Sequence, residues 1–253
     1  MVYVLAGDAG DAGGEGATRR LLDAVANAPP EGRLGAELGY LARLTAAARD
    51  LDSGRLKDAI AGYLRVPAES GYYRAARFGL ATCQLRAGRA ERALKILALL
   101  PGGLVGDPER AVVAAMAAHS VGKAEAAVAV IDGALARAGA WDEAAATSEA
   151  ILARIAEGPA GPRTEGLVET VAGSASVRRL AAELMETRAE LERGGAYADG
   201  LARYAERVEA ALEAVIASDR AYHAARVARA WDNLRALRPQ IAGPMSARSA
   251  AGR

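Results

Sequence analysis

The residues whose types could support chemistry are few and lie far apart in the sequence. His119 and His223 are the only histidines. His119 has no ligand-type residue four positions away, and His223 has only Asp219, which fits a helix cap better. Catalytic and metal sites need several groups that converge. The sequence therefore predicts no catalytic residue, no metal site and no cofactor, and we do not expect an enzyme.

Two further features could suggest chemistry. Cys83 is the single cysteine and falls inside a helical pattern, which favours a small buried apolar side chain over a reactive thiol. The stretch DAGDAGGEG, residues 8–16, is rich in glycine, but Ala17-Thr18-Arg19 follows it. A phosphate loop needs Lys and then Ser or Thr after its last Gly. This stretch is therefore not predicted to bind phosphate.

The composition predicts a helical chain without a strong electric field. There are 32 basic and 31 acidic residues, and the net charge is +1, so neither nucleic acid nor an anionic membrane is an expected partner. Apolar residues, many of them Ala, make up 52% of the chain and aromatic residues 4%, which favours packed helices over sheets. Because MVYVLAG is too short for a signal peptide and no membrane-spanning run follows, we expect a cytoplasmic protein.

A repeat organises the first half of the chain. GRAERALKIL at 88–97 resembles GRLKDAIAGY at 54–63 and GKAEAAVAVI at 122–131, so similar copies begin at positions 54, 88 and 122 with a constant step. A fixed period of this length is typical of stacked helical repeats. In the register of the glycines, the repeats run over 40–73, 74–107 and 108–141.

Each repeat is predicted to be two helices with the glycine in the turn between them. An Ala seven positions before each Gly and another five positions after it would face each other where the helices approach most closely, and a bulky residue follows nine positions after the Gly. These repeat-defining residues are Ala47, Gly54, Ala59 and Tyr63, then Ala81, Gly88, Ala93 and Leu97, then Ala115, Gly122, Ala127 and Ile131.

Patterns on both sides of the repeats complete the predicted organisation. Three amphipathic helices with short connections, broken at Gly194-Gly195 and Ser218-Asp219, predict an antiparallel helical unit near the C-terminus. The predicted segments are a flexible lead at 1–17, a solenoid at 18–158 that ends in a degenerate cap at 142–158, a linker at 159–175, the C-terminal helical unit at 176–240 and a disordered tail at 241–253.

The spacing of these small and bulky residues resembles the tetratricopeptide repeat, a helix-turn-helix unit with the same period. The resemblance implies an all-α fold, a tetratricopeptide-like solenoid of about three repeats with the helical unit behind it. The repeats are divergent, since Arg43, Arg77 or Ala111 stands where the family usually has an aromatic residue.

A closer resemblance covers residues 63–101. This segment is similar to the C-terminal tetratricopeptide region of the actinobacterial serine/threonine protein kinase G family, and Leu237-Arg238-Pro239 is similar to the ending of that family. The paired Cys motifs and the kinase motifs of that family do not occur in this chain. The resemblance implies either a free-standing interaction module in such signalling or the regulatory part of a longer kinase. The matching residues are Tyr63, Val66, Phe78, Gly79, Leu80, Ala81, Gly88, Ala93, Leu97 and Pro101.

In tetratricopeptide proteins the first helices of the repeats line a concave groove, and the resemblance assigns that role here to mostly apolar residues. Such a lining suits an amphipathic helix or apolar peptide of a kinase, a kinase substrate or another signalling protein. It equally suits the chain's own C-terminal face of Val208, Leu212 and Val215, and a homodimer is also compatible with it. The assigned residues are Leu41, Leu44, Ala48, Leu51, Phe78, Thr82, Leu85, Val112, Met116 and His119.

Overall fold

Every regular element in the described part of the chain is helical, as the composition predicts. The structure is a computed structural model, and it describes residues 12–29, 32–101, 104, 107–157, 166–194 and 197–251. The elements are α1 (Ala12–Asn27), α2 (Gly32–Asp52), α3 (Leu56–Leu64), α4 (Tyr73–Arg86), α5 (Ala90–Ala98), α6 (Pro108–Ser120), α7 (Ala124–Leu135), a 3-10 helix (Ala138–Trp141), α8 (Ser148–Ala156), α9 (Leu167–Ala172), α10 (Ala175–Arg193) and α11 (Ala198–Ala251).

The predicted flexible lead at 1–17 falls mostly outside the described residues. Its last part differs from the prediction, because α1 begins within it at Ala12. The first helix is therefore longer at its N-terminal end than the glycine-rich composition indicated.

The period of the sequence reappears in the helix boundaries. The first helices α2, α4 and α6 end at positions 52, 86 and 120, and the second helices α3, α5 and α7 begin at 56, 90 and 124. Both sets advance by the same step as the glycines, so the three helix pairs share one register. The prediction of an all-α repeat fold is confirmed.

Glycine closes the turn between the two helices of each repeat. Gly54, Gly88 and Gly122 have φ of 75°, 72° and 77°, a left-handed conformation that is costly for residues with a Cβ atom. In the first turn the Gly54 N–H donates to the Leu51 carbonyl at 3.1 Å, and the next N–H, of Arg55, donates to the Asp50 carbonyl at 2.7 Å. The same two bonds recur after α4 and α6. This pattern is the Schellman motif, which satisfies the last carbonyls of a helix.

Small residues fill the space between paired helices. All six alanines of the repeat pattern are buried, as are the three bulky residues that follow them. In the first two repeats, Ala47 and Ala59 belong to one core cluster with Tyr63, Leu80 and Cys83. The alanines and bulky residues concerned are Ala47, Ala59, Ala81, Ala93, Ala115 and Ala127, with Tyr63, Leu97 and Ile131.

The chain divides into two compact units. The first, called here the N-terminal unit, comprises residues 1–104 and 113–127, and the second, the C-terminal unit, comprises 105–112 and 128–253. In the N-terminal unit α1 packs on α2, α2 on α3, and α3 on α4. In the C-terminal unit α11 contacts α8, α9, α10 and the 3-10 helix.

The C-terminal unit departs from the sequence patterns in two places. The predicted break at Ser218-Asp219 is wrong, because α11 runs through it and its backbone is helical as far as Ala251, where composition predicted a disordered tail from 241. The buried stripe of α11 continues on both sides of that point, through Leu212 and Ile216 and again from Val227 to Leu234. The apolar stripe therefore outweighs the capping preference of a Ser-Asp pair on the less buried side.

The segment predicted as a linker also contributes to the core. Its residues 159–165 lie outside the described residues, but α9 follows them, and Leu167 and Val171 are fully buried. α9 packs against α8 and α11. The second half of the predicted linker is therefore a structural element of the C-terminal unit.

Candidate functional site

The residues assigned to a partner groove begin on α2 and α4, the first helices of the first two repeats, which contact each other in the N-terminal unit. Their spacing of three or four residues places each set on one face of its helix. Of the assigned residues on these two helices only Leu51 is buried, at 7% exposure. The partly exposed ones are Leu41, Leu44 and Ala48 on α2 and Phe78, Thr82 and Leu85 on α4.

These side chains rest on a packed support. Leu44 packs against the core cluster that contains Leu51, and Leu85 packs against the cluster of Ala90, Ala93 and Ala117. The Thr82 hydroxyl donates to the Phe78 carbonyl at 3.1 Å within α4. The Thr82 hydroxyl hydrogen is therefore already bonded to the backbone. This part of the surface offers mainly apolar contact.

The third repeat carries the remaining assigned residues on α6. Met116 is 43% exposed and His119 is exposed, both in the N-terminal unit. Val112 belongs to the C-terminal unit and is partly exposed. Within that unit, the guanidinium of Arg226 on α11 makes two hydrogen bonds to the Glu109 carboxylate, one of them 3.0 Å long. The chain's own last helix thus contacts the beginning of α6.

The sequence proposes Val208, Leu212 and Val215 on α11 as the residues that fill the groove. Val208 and Leu212 are buried and Val215 is partly exposed, on the half of α11 that follows α10 in an antiparallel pair. Residues farther along α11, around Arg226, make the contact with α6. The contact of α11 with α6 near Glu109 is therefore made by Arg226 and not by the expected apolar residues, and the filling of the groove by the chain's own helix stays a prediction.

A polar pocket of about 150 Å³ lies between α1, α2 and α3 in the N-terminal unit. Alanines, Gly62 and Asn27 form part of its wall, and charged side chains of both signs form the rest. On α2 the pocket is lined by Arg43, Ala46, Ala47 and Asp50. These residues form a stripe on a different face of α2 from the groove residues. The charged residues are Arg19, Arg43, Arg65, Asp23, Asp50 and Asp58.

Asp50 is the centre of the ion pairs at this pocket. Its side chain is only 3% exposed, and its Oδ1 accepts from Arg19 Nη1 at 2.5 Å and from Arg55 Nε at 2.9 Å. Arg19 also donates from Nε to both oxygens of Asp23. The hydrogen bond to Asp50 raises the pKa of Arg19 against the opposing effect of burial. Two guanidinium groups thus neutralise a carboxylate that has almost no contact with water.

Comparison with protein families agrees with the helical repeats of the first half of the chain. The tetratricopeptide repeat family model matches residues 50–118, from the end of α2 into α6. This part of the chain is therefore similar to tetratricopeptide repeats. No match was found among curated proteins or among solved structures. None of the comparisons links the chain to the protein kinase G family.

Cys83 and the ionisable side chains of the described residues are the remaining candidates for chemistry. Within the described ranges, no three His, Cys, Asp or Glu side chains are placed to hold a metal ion. Cys83 is buried among the helices of the first two repeats, and burial raises the pKa of its thiol to about 11. A thiol of this kind is a poor nucleophile at neutral pH. Among the described residues, no helix has the length and hydropathy of a membrane span.

Sequence reasoning missed the charged pocket altogether. Arg19 and Asp50 are 31 positions apart and meet only because α1 packs on α2. The one local signal is the four-residue spacing of Arg19 and Asp23, which predicts an ion pair on a helix but no cavity.

Proposed function

We propose that this protein is a non-catalytic interaction module whose first-helix surface binds an apolar or amphipathic segment of a partner protein. Tetratricopeptide repeats generally mediate protein–protein interaction. The observation that carries the proposal is the set of partly exposed apolar side chains on α2 and α4, which share helix faces and rest on a packed core. Rigid support lowers the entropic cost of binding.

The chemistry of the surface defines the class of partner. Leu41, Leu44 and Phe78 offer apolar contact, and Met116 adds a flexible thioether that adapts to different shapes. There is no cationic residue among the assigned positions of α2 and α4. The preferred ligand is therefore an amphipathic helix or apolar peptide and not an acidic terminus.

A finer version of the proposal concerns the pathway. We place the module in the cytoplasm, in signalling of the protein kinase G type, with a serine/threonine kinase or its substrate as partner. The support is the sequence similarity over residues 63–101, including Phe78-Gly79-Leu80-Ala81. The alternative is that the chain is the regulatory part of such a kinase, which sequencing upstream of Met1 would reveal.

The surface assignment can be tested by affinity capture from source cells with matched variants. Phe78→Asp adds a charge to the proposed surface, and Leu99→Asp adds the same charge at a leucine that is 84% exposed elsewhere. We expect a partner held by wild type and by the Leu99 variant to be lost, at least tenfold, from the Phe78 variant. The reason is that burying an unpaired charge costs more than the free energy of a tenfold change in affinity.

Circular dichroism of all three baits must show equal helix content for the comparison to count. Equal recovery by the Phe78 variant and wild type would refute the surface. A retained partner without kinase activity or kinase phosphorylation would refute only the signalling pathway.

A further inference from the structure

The charged pocket between α1, α2 and α3 has the size of a small-ligand site. Cavities of about 150 Å³ can admit a molecule as large as benzene, and this pocket has that volume. It opens among charged side chains, so an apolar ligand would gain little there. The charges that are not already paired therefore decide what it can bind.

Two of its guanidinium groups, those of Arg43 and Arg65, have no carboxylate partner among the described residues. The side chain of Arg65 makes no hydrogen bond or ion pair with any described residue. Arg43 donates from Nη2 to the Ala26 carbonyl at 2.6 Å, and its guanidinium lies 5.7 Å from the ring centre of Tyr40. These contacts hold Arg43 in place and occupy one of its five N–H groups.

The carboxylates of the pocket are mostly paired. Asp50 is neutralised by Arg19 and Arg55, and Asp23 accepts from Arg19. Asp58 is the remaining carboxylate of the lining, and it has no ion pair with a described residue. Arg43 and Arg65 are therefore two unpaired cations beside the one unpaired carboxylate of Asp58. The lining itself is neutral, with three arginines and three aspartates, and Arg55, which pairs with Asp50 from outside the lining, supplies the one positive charge in excess at the pocket.

We propose that this pocket binds a small carboxylate. A singly charged carboxylate balances the excess charge, and its two oxygens match the planar fork of a guanidinium. A doubly charged phosphate would bring more charge than the excess and would lie close to three aspartates. The carboxylate belongs either to a free organic acid or to a Glu or Asp side chain of another protein. The proposal does not depend on the apolar surface, because the pocket uses another face of α2.

The test is a titration of the full chain, followed by NMR of the arginine Nε–H groups. The probes are acetate and butyrate, with chloride at equal ionic strength as reference, and an acetylated, amidated Gly-Glu-Gly peptide as the protein-borne form. The variants are Arg65→Gln and Asp58→Asn. Arg92→Gln is the control, because Arg92 is an exposed arginine of the same unit outside the pocket.

We expect a saturable shift of the Arg43 and Arg65 signals with a carboxylate probe and none with chloride. Arg65→Gln should weaken binding roughly tenfold, Asp58→Asn should strengthen it about threefold, and Arg92→Gln should change nothing. Tighter binding of the peptide than of butyrate would indicate a protein source, and the reverse a free acid. The proposal is overturned by an absence of saturable shifts, by equal affinity in the Arg65 variant, or by weaker binding in the Asp58 variant.

Discussion

Gly79 shows at the level of one residue how closely two repeats are packed. A Cβ atom at Gly79 on α4 would overlap Cζ of Tyr63 on α3, far inside the contact distance of carbon atoms. The sequence singled out Phe78-Gly79-Leu80-Ala81 only as a family resemblance. The structure gives the glycine a physical reason, since the Tyr63 ring occupies the space where a side chain would begin.

Gly79→Ala should therefore destabilise the fold by about 2 kcal/mol through overpacking. Urea denaturation followed by circular dichroism measures this loss, and Gly16→Ala is the control, because its Cβ would meet nothing closer than 3.7 Å. Adding Tyr63→Leu to Gly79→Ala should recover part of the loss. Equal stability of the Gly79 variant and wild type would show that the ring does not hold this position.

His223 links stability to pH in the C-terminal unit. Burial lowers the pKa of His223, nearby Arg226 lowers it further, and Asp219 and Asp107 oppose the shift without reversing it. Because the unfolded chain binds the proton more readily, the stabilisation is complete above the ordinary pKa of about 6.5, begins to fall below that value and is lost as the pH falls through the lowered pKa of the folded state.

His223→Gln should consequently reduce the loss of stability between pH 7.5 and pH 5.5. Denaturation at both pH values provides the comparison, and His119→Gln is a matched control because His119 is exposed. If wild type and the His223 variant lose the same stability on acidification, the titrating group is elsewhere.

Between elements, the pair of Arg226 and Glu109 connects α11 with α6. About one third of each side chain is exposed. Burial alone would lower the pKa of Arg226, but the hydrogen bond and charge of Glu109 outweigh it and raise the pKa above its ordinary value. The two residues are 117 positions apart, so no local pattern in the sequence predicts the contact.

Exchanging the charges tests whether this contact fixes α11. Arg226→Glu and Glu109→Arg should each cost about 1 kcal/mol, because each places like charges together. The double variant should regain at least half of the summed loss. Unfolding of the full chain in urea gives the three values, and strictly additive losses would mean that the two side chains do not interact.

Helix pairs and their turns were predictable because they depend on short-range features that recur. The left-handed Gly54, Gly88 and Gly122 and the alanines around them fix both the register and the close approach of each pair. The length of α11 was not predictable, since Ser218-Asp219 is a good local cap. Only the buried stripe on both sides, from Leu212 to Leu234, explains the continuous helix.

At the level of the whole molecule, the repeat boundaries do not coincide with the units. The third repeat, 108–141, is divided between the two units within α6 and α7. The repeat period could not predict this division of the third repeat. The period reflects which residues are neighbours along the chain, and it contains no information on how α11 packs. The charged pocket was hidden for the same reason, since Arg19 and Asp50 are brought together only by helix packing. The assignment of a partner surface to α2 and α4 comes from the tetratricopeptide resemblance and stays a prediction.

Photocrosslinking in the source cells shows directly whether the first-helix surface binds a partner protein. A photoreactive phenylalanine analogue is placed at Phe78, at Met116 or, as control, at Leu99, which is more exposed than either. We expect the same crosslinked protein from positions 78 and 116 and none from position 99. No adduct from 78, or the same adduct from all three positions, would contradict the assignment of this surface.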